Sequence, residues 1–184
     1  MKHAGITFLL TFIAGNFVFA QNPKEAFTVN VTKVTFIEPG IAHELPLGRT
    51  SSFFMRGGLT ATLAENFYGG NSFLVRPFVS SSLRAYYNSE KRKLKELNIA
   101  NNSANYFALL LIVATSPINK TEDYDPGHNE ALFNSGLVWG MQRNYPSGFS
   151  LDLNIGAGYL KGGTSKGFGP VAELNIGWVI GKKH

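Results

Sequence analysis

The sequence contains no cysteine, which excludes disulfide bonds and a lipid anchor at a processed N-terminal cysteine. After the N-terminal segment it also lacks any apolar run long enough for a membrane helix, although 44% of its residues are hydrophobic. No proline-rich or serine-rich linker divides the chain, so a single domain is expected. The apolar residues are instead distributed as alternate positions, a pattern typical of β-strands.

The N-terminal segment has the features of a cleavable secretory signal. Lys2 is followed by an apolar run at residues 6–14, then by Val18-Phe19-Ala20 and a polar stretch. A charged start, a short apolar run and a small residue before a polar break describe such a signal. We therefore expect residues 1–20 to be a signal peptide and residues 21–184 to be the folded domain.

The positive charge does not indicate a nucleic-acid partner. The net charge is +5 and the pI is near 9.5, but residues 91–95 form the one dense basic cluster. The remaining basic residues are scattered, and the chain is predicted to be exported. No nucleic-acid binding is expected.

Residues 149–160 show the strand pattern most clearly. Phe149 and Leu151 begin an apolar face, while Ser150 and Asp152 begin a polar face, because successive side chains of a strand alternate. About 10 alternating residues are also enough for a tilted strand to cross a bilayer. The same pattern predicts eight strands, at residues 26–37, 41–47, 51–66, 72–87, 104–115, 131–145, 149–160 and 171–181.

The fold class predicted by this pattern is all-β, an eight-stranded antiparallel up-and-down transmembrane β-barrel with both termini in the periplasm. In the first strand the apolar positions change phase, which predicts a bulge near Lys33. Pro77 predicts a bulge or a missing hydrogen bond. Residues 104–115 are apolar on both faces, so Phe107, Leu109 and Leu111 are expected to fill the lumen. A core strand of a soluble exported β-protein would have the same pattern, and that fold is the alternative.

The connections between the predicted strands differ in length. Those at residues 47–50 and 145–148 are short, whereas those at 67–71, 116–130 and 161–169 are longer, as in outer-membrane barrels. The connections at residues 38–40 and 88–103 break this rule, and residues 90–97 of the latter could form a short helix. Aromatic residues at the periplasmic ends of strands predict an interfacial girdle: Tyr87, Tyr106, Tyr145, Phe149 and Trp178.

Several blocks of the sequence resemble the small outer-membrane β-barrel proteins of Gram-negative bacteria, of the OmpA, OmpX and OmpW kind and a largely uncharacterised branch of such barrels. The blocks are Gly40-Ile41-Ala42-His43-Glu44, Arg84-Ala85-Tyr86-Tyr87-Asn88 with Lys91-Arg92, Asn102-Ser103-Ala104-Asn105-Tyr106 and Gly136-Leu137-Val138-Trp139-Gly140-Met141-Gln142-Arg143. The resemblance implies a barrel over residues 28–181 in the outer membrane. Two positions depart from the family: an aromatic residue usually replaces His43, and Trp178 is not at the C-terminus.

The charged residues on the polar faces are expected to point into a narrow lumen filled by side chains. They would neutralise each other as a network of three arginines and three carboxylates, because an unpaired buried charge is costly. This network would brace the barrel, or alternatively form a gated polar conduit. Its predicted members are Glu44, Arg56, Arg76, Arg84, Asp152 and Glu173.

The sequence does not favour an enzyme or a metal site. Acyl transfer by serine needs a histidine within hydrogen-bond reach, and no serine lies two residues from His43, His128 or His184 on the same strand face. Residues 123–130 resemble a calcium loop faintly but have the wrong spacing. No catalytic residue, metal or cofactor is predicted.

The expected function is that of a non-catalytic integral outer-membrane protein with a structural or surface-interaction role, through residues 67–71, 116–130 and 161–169. Transport of a small hydrophobic molecule along Phe107, Leu109 and Leu111 is the first alternative, and a lipid-modifying barrel enzyme is the second. The expected partners are outer-membrane lipid and, during insertion, the barrel-assembly machinery. A monomer is expected.

Overall fold

A computed structural model describes residues 26–65, 71–119, 130–162 and 165–180 of the chain. The predicted signal peptide, and most of the predicted loops at residues 67–71 and 116–130, lie outside these residues. The strands are β1 (Val31–Thr35), β2 (Gly40–Pro46), β3 (Ser51–Glu65), β4 (Asn71–Tyr86), β5 (Asn105–Ala114), β6 (Leu132–Asn144), β7 (Phe149–Gly162) and β8 (Ser165–Ile180). A short helix, α1 (Ser89–Leu94), and a 3₁₀ turn (Ala100–Asn102) lie between β4 and β5.

The strands form one closed antiparallel barrel. Each strand pairs with its neighbours in the chain, and β8 pairs with β1 to close the ring. This arrangement confirms the predicted eight-stranded up-and-down barrel. Among the described residues, no helix has the length and hydropathy needed to cross a membrane.

The two ends of the barrel differ. The end that we call lower contains the connections at residues 47–50, 87–104 and 145–148, together with the start of β1 and the end of β8. The end that we call upper contains the β1–β2 turn at residues 36–39 and the tips of the longer strands. The long connection at residues 87–104 includes α1, whose position agrees with the short helix predicted at residues 90–97.

Apolar side chains point outward and polar side chains point inward on most strands. In β7, for example, Leu153 and Ile155 are exposed, whereas Asp152 and Asn154 are buried. Strand alternation separates the two sets, and the closed ring gives every inward position the same enclosed surroundings. The outward apolar side chains include Ile41, Met55, Leu59, Val79, Leu83, Phe107, Leu109, Leu137, Ile155, Leu174 and Ile180.

The predicted orientation of β5 is wrong. Phe107, Leu109 and Leu111 are exposed on the outer surface, and it is Tyr106 and Leu110 that are buried inside. Because both faces of this strand are apolar, alternation alone did not distinguish inside from outside. The predicted hydrophobic path through the lumen therefore lacks its lining residues.

The bulge predicted in β1 is absent from the pairing, whereas the irregularity predicted at Pro77 of β4 is present as a missing hydrogen bond. β1 pairs continuously with β2 and β8, without a bulge near Lys33, whose side chain is buried inside the barrel. Pro77 pairs in regular register with Leu59. Its carbonyl accepts a 2.9 Å hydrogen bond from the Thr115 amide, but proline has no N–H to return the bond, so the predicted missing hydrogen bond is confirmed. The Thr115 carbonyl accepts a 3.1 Å bond from Arg76 Nη1 instead.

The predicted loop at residues 161–169 is a strand hairpin. β7 continues to Gly162 and β8 starts at Ser165, with Lys161 paired to Lys166 and Leu160 paired to Gly167. Glycines in this segment suggested a loop, but the two strands pair at Gly162, Gly167 and Gly169. The segment predicted to act as a surface loop is therefore part of a regular β-hairpin.

Candidate functional site

The interior contains two groups of charged residues at different heights. We call Lys33, Glu44, Arg84 and Asp152 the lower charge cluster, and Glu38, Arg56 and Glu173 the upper charge cluster. Five of the six residues predicted to form one lumen network belong to one or the other of these clusters, and the sixth is Arg76. Except for Glu38, which lies in the β1–β2 turn, these residues occupy inward positions of strands whose next residues face out.

Arg84 lies at the centre of the lower charge cluster. Its Nη1 is 2.8 Å from Asp152 Oδ2 and donates a 2.7 Å hydrogen bond to Gln142 Oε1. The guanidinium carbon lies 3.7 Å from the centre of the Phe54 ring and 4.4 Å from the Tyr106 ring. Ion pairing and cation–π contacts together compensate for the removal of this charge from water.

Glu44 is held mainly by neutral donors. Its Oε1 accepts 2.5 Å hydrogen bonds from Ser52 Oγ and Tyr86 Oη, and its Oε2 accepts a 3.0 Å bond from Gln142 Nε2. Lys33 lies close enough to Glu44 and Asp152 to interact with both electrostatically. The lower charge cluster has two cations and two carboxylates, so its formal charges balance.

Tyr106 does not occupy its predicted interfacial position. It is completely buried, and its hydroxyl donates a 2.6 Å hydrogen bond to Asp152 Oδ1. Its ring meets the Tyr86 ring edge to face at 5.6 Å, because both residues occupy inward positions of paired strands. The other residues of the predicted girdle are exposed at the lower end: Tyr87, Tyr145, Phe149 and Trp178.

Residues 97–104 close the lower end of the barrel. The Asn102 side chain accepts a 2.8 Å hydrogen bond from the Val29 amide and donates a 2.9 Å bond to the Val29 carbonyl. The carbonyl of Asn101 accepts hydrogen bonds from the side-chain amides of Gln142 and Asn144. Asn101 and Asn102 have φ angles of 51° and 65°, a conformation that asparagine tolerates better than most residues. The chain itself therefore blocks the lumen below the lower charge cluster.

The upper charge cluster is centred on Arg56. Its Nη1 is 2.8 Å from Glu38 Oε2, and its Nη2 is 2.9 Å from Glu173 Oε1. Thr60 Oγ1 donates a 2.7 Å hydrogen bond to Glu38 Oε1, and the guanidinium carbon lies 4.5 Å from the centre of the Phe78 ring. With one cation and two carboxylates, this cluster has a formal charge of −1.

Arg76 makes its described hydrogen bonds to backbone carbonyls, and the other five predicted network residues divide into the two charge clusters. Its Nη1 donates hydrogen bonds to the carbonyls of Thr115, at 3.1 Å, and Glu130, at 2.7 Å. These residues flank the connection between β5 and β6. Arg76 therefore binds both ends of this upper connection to β4.

A cavity of about 450 Å³ adjoins the upper charge cluster. Its polar wall includes Glu38, Arg56, Glu173 and Asn134, and its apolar wall includes Phe78. The other lining residues are Ile37, Thr60, Ala61, Thr62, Ile112, Ala114, Leu132, Ala172 and Leu174.

Sequence reasoning missed three interior groups. Lys33 was assigned to a bulge, Glu38 was assigned to a connection, and Gln142 was not predicted to have an interior role. The alternation of Val31, Lys33 and Thr35 would have placed Lys33 inside, as the structure does. Glu38 reaches the interior from a turn, so no strand periodicity could have predicted its contact with Arg56.

The outer surface includes one pair of groups that resembles part of a catalytic site. Thr32 Oγ1 lies 2.8 Å from His43 Nδ1, on the outward face of the β1–β2 pair. On the neighbouring strands His43 pairs with Met55 and Thr32 pairs with Ile180, and neither apolar side chain can orient the imidazole. Within the described ranges, no group of three histidine or acidic residues could bind a metal ion.

Comparisons of the chain with protein-family models, with curated proteins and with solved structures found no match. The structure itself shows an all-β chain whose strands close into an eight-membered antiparallel ring, as in small β-barrel proteins.

Proposed function

We propose that this chain is an integral outer-membrane β-barrel protein, exported by a signal at residues 1–20, with a structural or surface-interaction role and no catalysis. The observation that carries the proposal is the inverted distribution of side chains. Large apolar residues cover the outside of the ring, whereas arginine, lysine and carboxylate side chains are buried inside. Lipid solvates such an outer surface favourably, whereas water does not.

The contents of the lumen support a structural role over a conduit. Arg84 and its partners fill the lower interior, and residues 97–104 close it from below. A path through the barrel would have to separate buried ion pairs, at a cost of several kcal/mol. We therefore expect no flux of small hydrophobic solutes through protein reconstituted in vesicles.

The outward Thr32–His43 pair does not support a lipid-modifying enzyme. Acyl transfer needs a third group that orients the histidine and donors that stabilise an oxyanion. The strand neighbours Met55 and Ile180 supply neither. We therefore expect no release of acyl chains from lipid A by the purified protein.

The surface-interaction part of the proposal concerns the upper end of the barrel. Lys161 and Lys166 lie opposite each other near the tip of the β7–β8 hairpin, beside the exposed Phe168. This cationic and aromatic tip suits the headgroup region of an outer-membrane lipid. The other proposed partner is the barrel-assembly machinery, during insertion of the monomer.

Membrane fractionation tests this proposal, combined with gel electrophoresis before and after heating. We expect the processed chain in the outer-membrane fraction, with faster migration before heating than after it, because a folded barrel is compact and resists detergent. Recovery of the chain as a dissolved periplasmic protein would overturn the proposal.

A further inference from the structure

The barrel wall has a notch above the β1–β2 hairpin, because β1 and β2 have 5 and 7 residues whereas β3 and β8 have 15 and 16. Pairing of β1 with β8 ends with the hydrogen bond from the Phe36 amide to the Ile176 carbonyl. Pairing of β2 with β3 ends with the bond from the Leu59 amide to the Pro39 carbonyl. Three inter-strand spacings, about 14 Å, separate β3 from β8 at this point.

Over the described ranges, no strand pairs with the edges of β3 and β8 that face this notch. The edge of β4 that extends above β5, by contrast, has a hydrogen-bonding partner. The Asn119 side chain bonds to the backbone of Phe73 and Val75 there. Pro170 of β8 points its nitrogen toward the notch, since it lies an even number of residues from Ile176. Proline lacks an N–H and is typical of an open strand edge.

The notch lies at an apolar level of the outer surface. Phe36 and Ile37, in the turn that forms its lower boundary, are 59% and 54% exposed, and Ile41 beside them is also exposed. A turn of this composition fits the hydrocarbon region better than water, given the membrane location proposed above. A notch at that depth opens toward the acyl chains of the bilayer.

The upper cavity extends from the interior into this notch. Its wall includes Ala61 on the edge of β3 and Ala172 and Leu174 on the edge of β8, in addition to the interior residues Arg56 and Phe78. Because Ala61, Ala172 and Leu174 are outward-facing positions of their strands, the cavity passes through the wall. An apolar chain can therefore lie in the notch with its polar end in the barrel.

The charged residues around the cavity indicate which kind of polar head group it can bind. The side chain of Arg56 is 1% exposed and lies between the carboxylates of Glu38 and Glu173, which repel an approaching anion. Glu38 is 31% exposed and belongs to a cluster with one excess negative charge. A cationic group complements this cavity, and an anionic group does not.

We propose that the notch and the upper cavity bind a single-chain amphiphile with a cationic head. The alkyl chain lies between Ala61 and Ala172, and the head lies against the Glu38 carboxylate. This site gives the barrel a ligand in addition to its structural role, and it rests on the proposed membrane location.

The test uses the full chain in phosphatidylcholine nanodiscs, where the absence of native cysteine allows one fluorophore to be placed at Ile41→Cys, an exposed position beside the lower boundary of the notch. The probe is dodecyltrimethylammonium with a nitroxide at the end of the alkyl chain, and the comparison is dodecyl sulfate with the same nitroxide. The matched control places the fluorophore at Ala157→Cys, an outward position of β7 that is paired on both sides. We expect saturable quenching at position 41 by the cationic probe alone, and only unsaturable quenching at position 157.

Two variants complete the test. Glu38→Gln should weaken binding of the cationic probe by about tenfold, the loss expected for one charge-assisted contact. Ala172→Trp should abolish saturable quenching by filling the notch. If Glu38→Gln does not fold, this second variant still tests whether the notch binds the probe. Equal binding of the sulfate, saturation at position 157 or unchanged affinity in either folded variant would overturn the site. Failure of the chain to insert would overturn the membrane proposal as well, whereas insertion without saturation would overturn the site alone.

Discussion

Arg84 and Asp152 form a 2.8 Å ion pair in the lower interior, and both side chains are 2% exposed. They belong to β4 and β7, which are not neighbours in the ring, so the pair joins distant parts of the wall across the lumen. Tyr106 and Gln142 bind the same two groups from β5 and β6. The interior is therefore cross-linked by polar contacts where a soluble barrel would have an apolar core.

Removal of one member of this pair should destabilise the barrel strongly. Arg84→Leu or Asp152→Leu leaves a buried charge without its partner, and a loss of about 3–5 kcal/mol in the free energy of unfolding is expected for each. The double variant leaves neither charge and should lose clearly less than the sum of the two single variants. Urea titration of protein refolded into lipid vesicles measures all three; additive losses would show that the two charges do not stabilise each other.

Gly140 is predicted to be intolerant of a side chain. A Cβ atom at this inward position of β6 would overlap the Tyr106 ring, which would have to move away from Asp152. Gly140→Ala should therefore lose about 1–3 kcal/mol in the same urea titration, as in other overpacked interiors. Gly57→Ala is the control, since a Cβ there meets its nearest atom, the Phe78 carbonyl oxygen, at an ordinary 3.8 Å; equal losses in both variants would contradict the explanation.

Asn102 should hold the segment before β1 against the lower end. Asn102→Gly keeps the left-handed backbone accessible but removes both hydrogen bonds to Val29. We expect faster hydrogen exchange of the Val29 amide and earlier proteolytic cleavage within residues 26–30. Asn102→Ala should show the same exchange and an additional loss of stability, because alanine disfavours a φ of 65°. Unchanged exchange at Val29 in both variants would show that the side chain is not the anchor.

An arginine on the outer wall tests for lipid contact directly. Leu137 is 71% exposed in the middle of β6, and Leu137→Arg should cost about 2–4 kcal/mol of folding free energy in vesicles if the wall faces hydrocarbon. Leu94→Arg makes the same change in α1, outside the strands, and should have little effect. If Leu137→Arg were neutral in vesicles, or made the protein soluble without detergent, the outer wall would face water.

The sequence predicted the number and order of the strands because alternation with period two was strong in most of them. It also predicted which side of β3, β4, β7 and β8 is polar. It could not orient β5, where Phe107 and Leu110 are equally apolar, and the structure places Phe107 outside. It also misjudged residues 161–169, because glycine is compatible with a loop and with a paired hairpin.

The sequence by itself determined an all-β chain with an apolar and a polar face on most strands, since side-chain direction in a strand depends only on position. Only the tertiary structure decided which charges meet. Glu38 reaches Arg56 from a turn, Arg84 meets Asp152 across the lumen, and Arg76 binds the backbone carbonyls of Thr115 and Glu130. These contacts depend on the register and closure of the ring, which bring together residues far apart in the chain, and local periodicity contains no information about either.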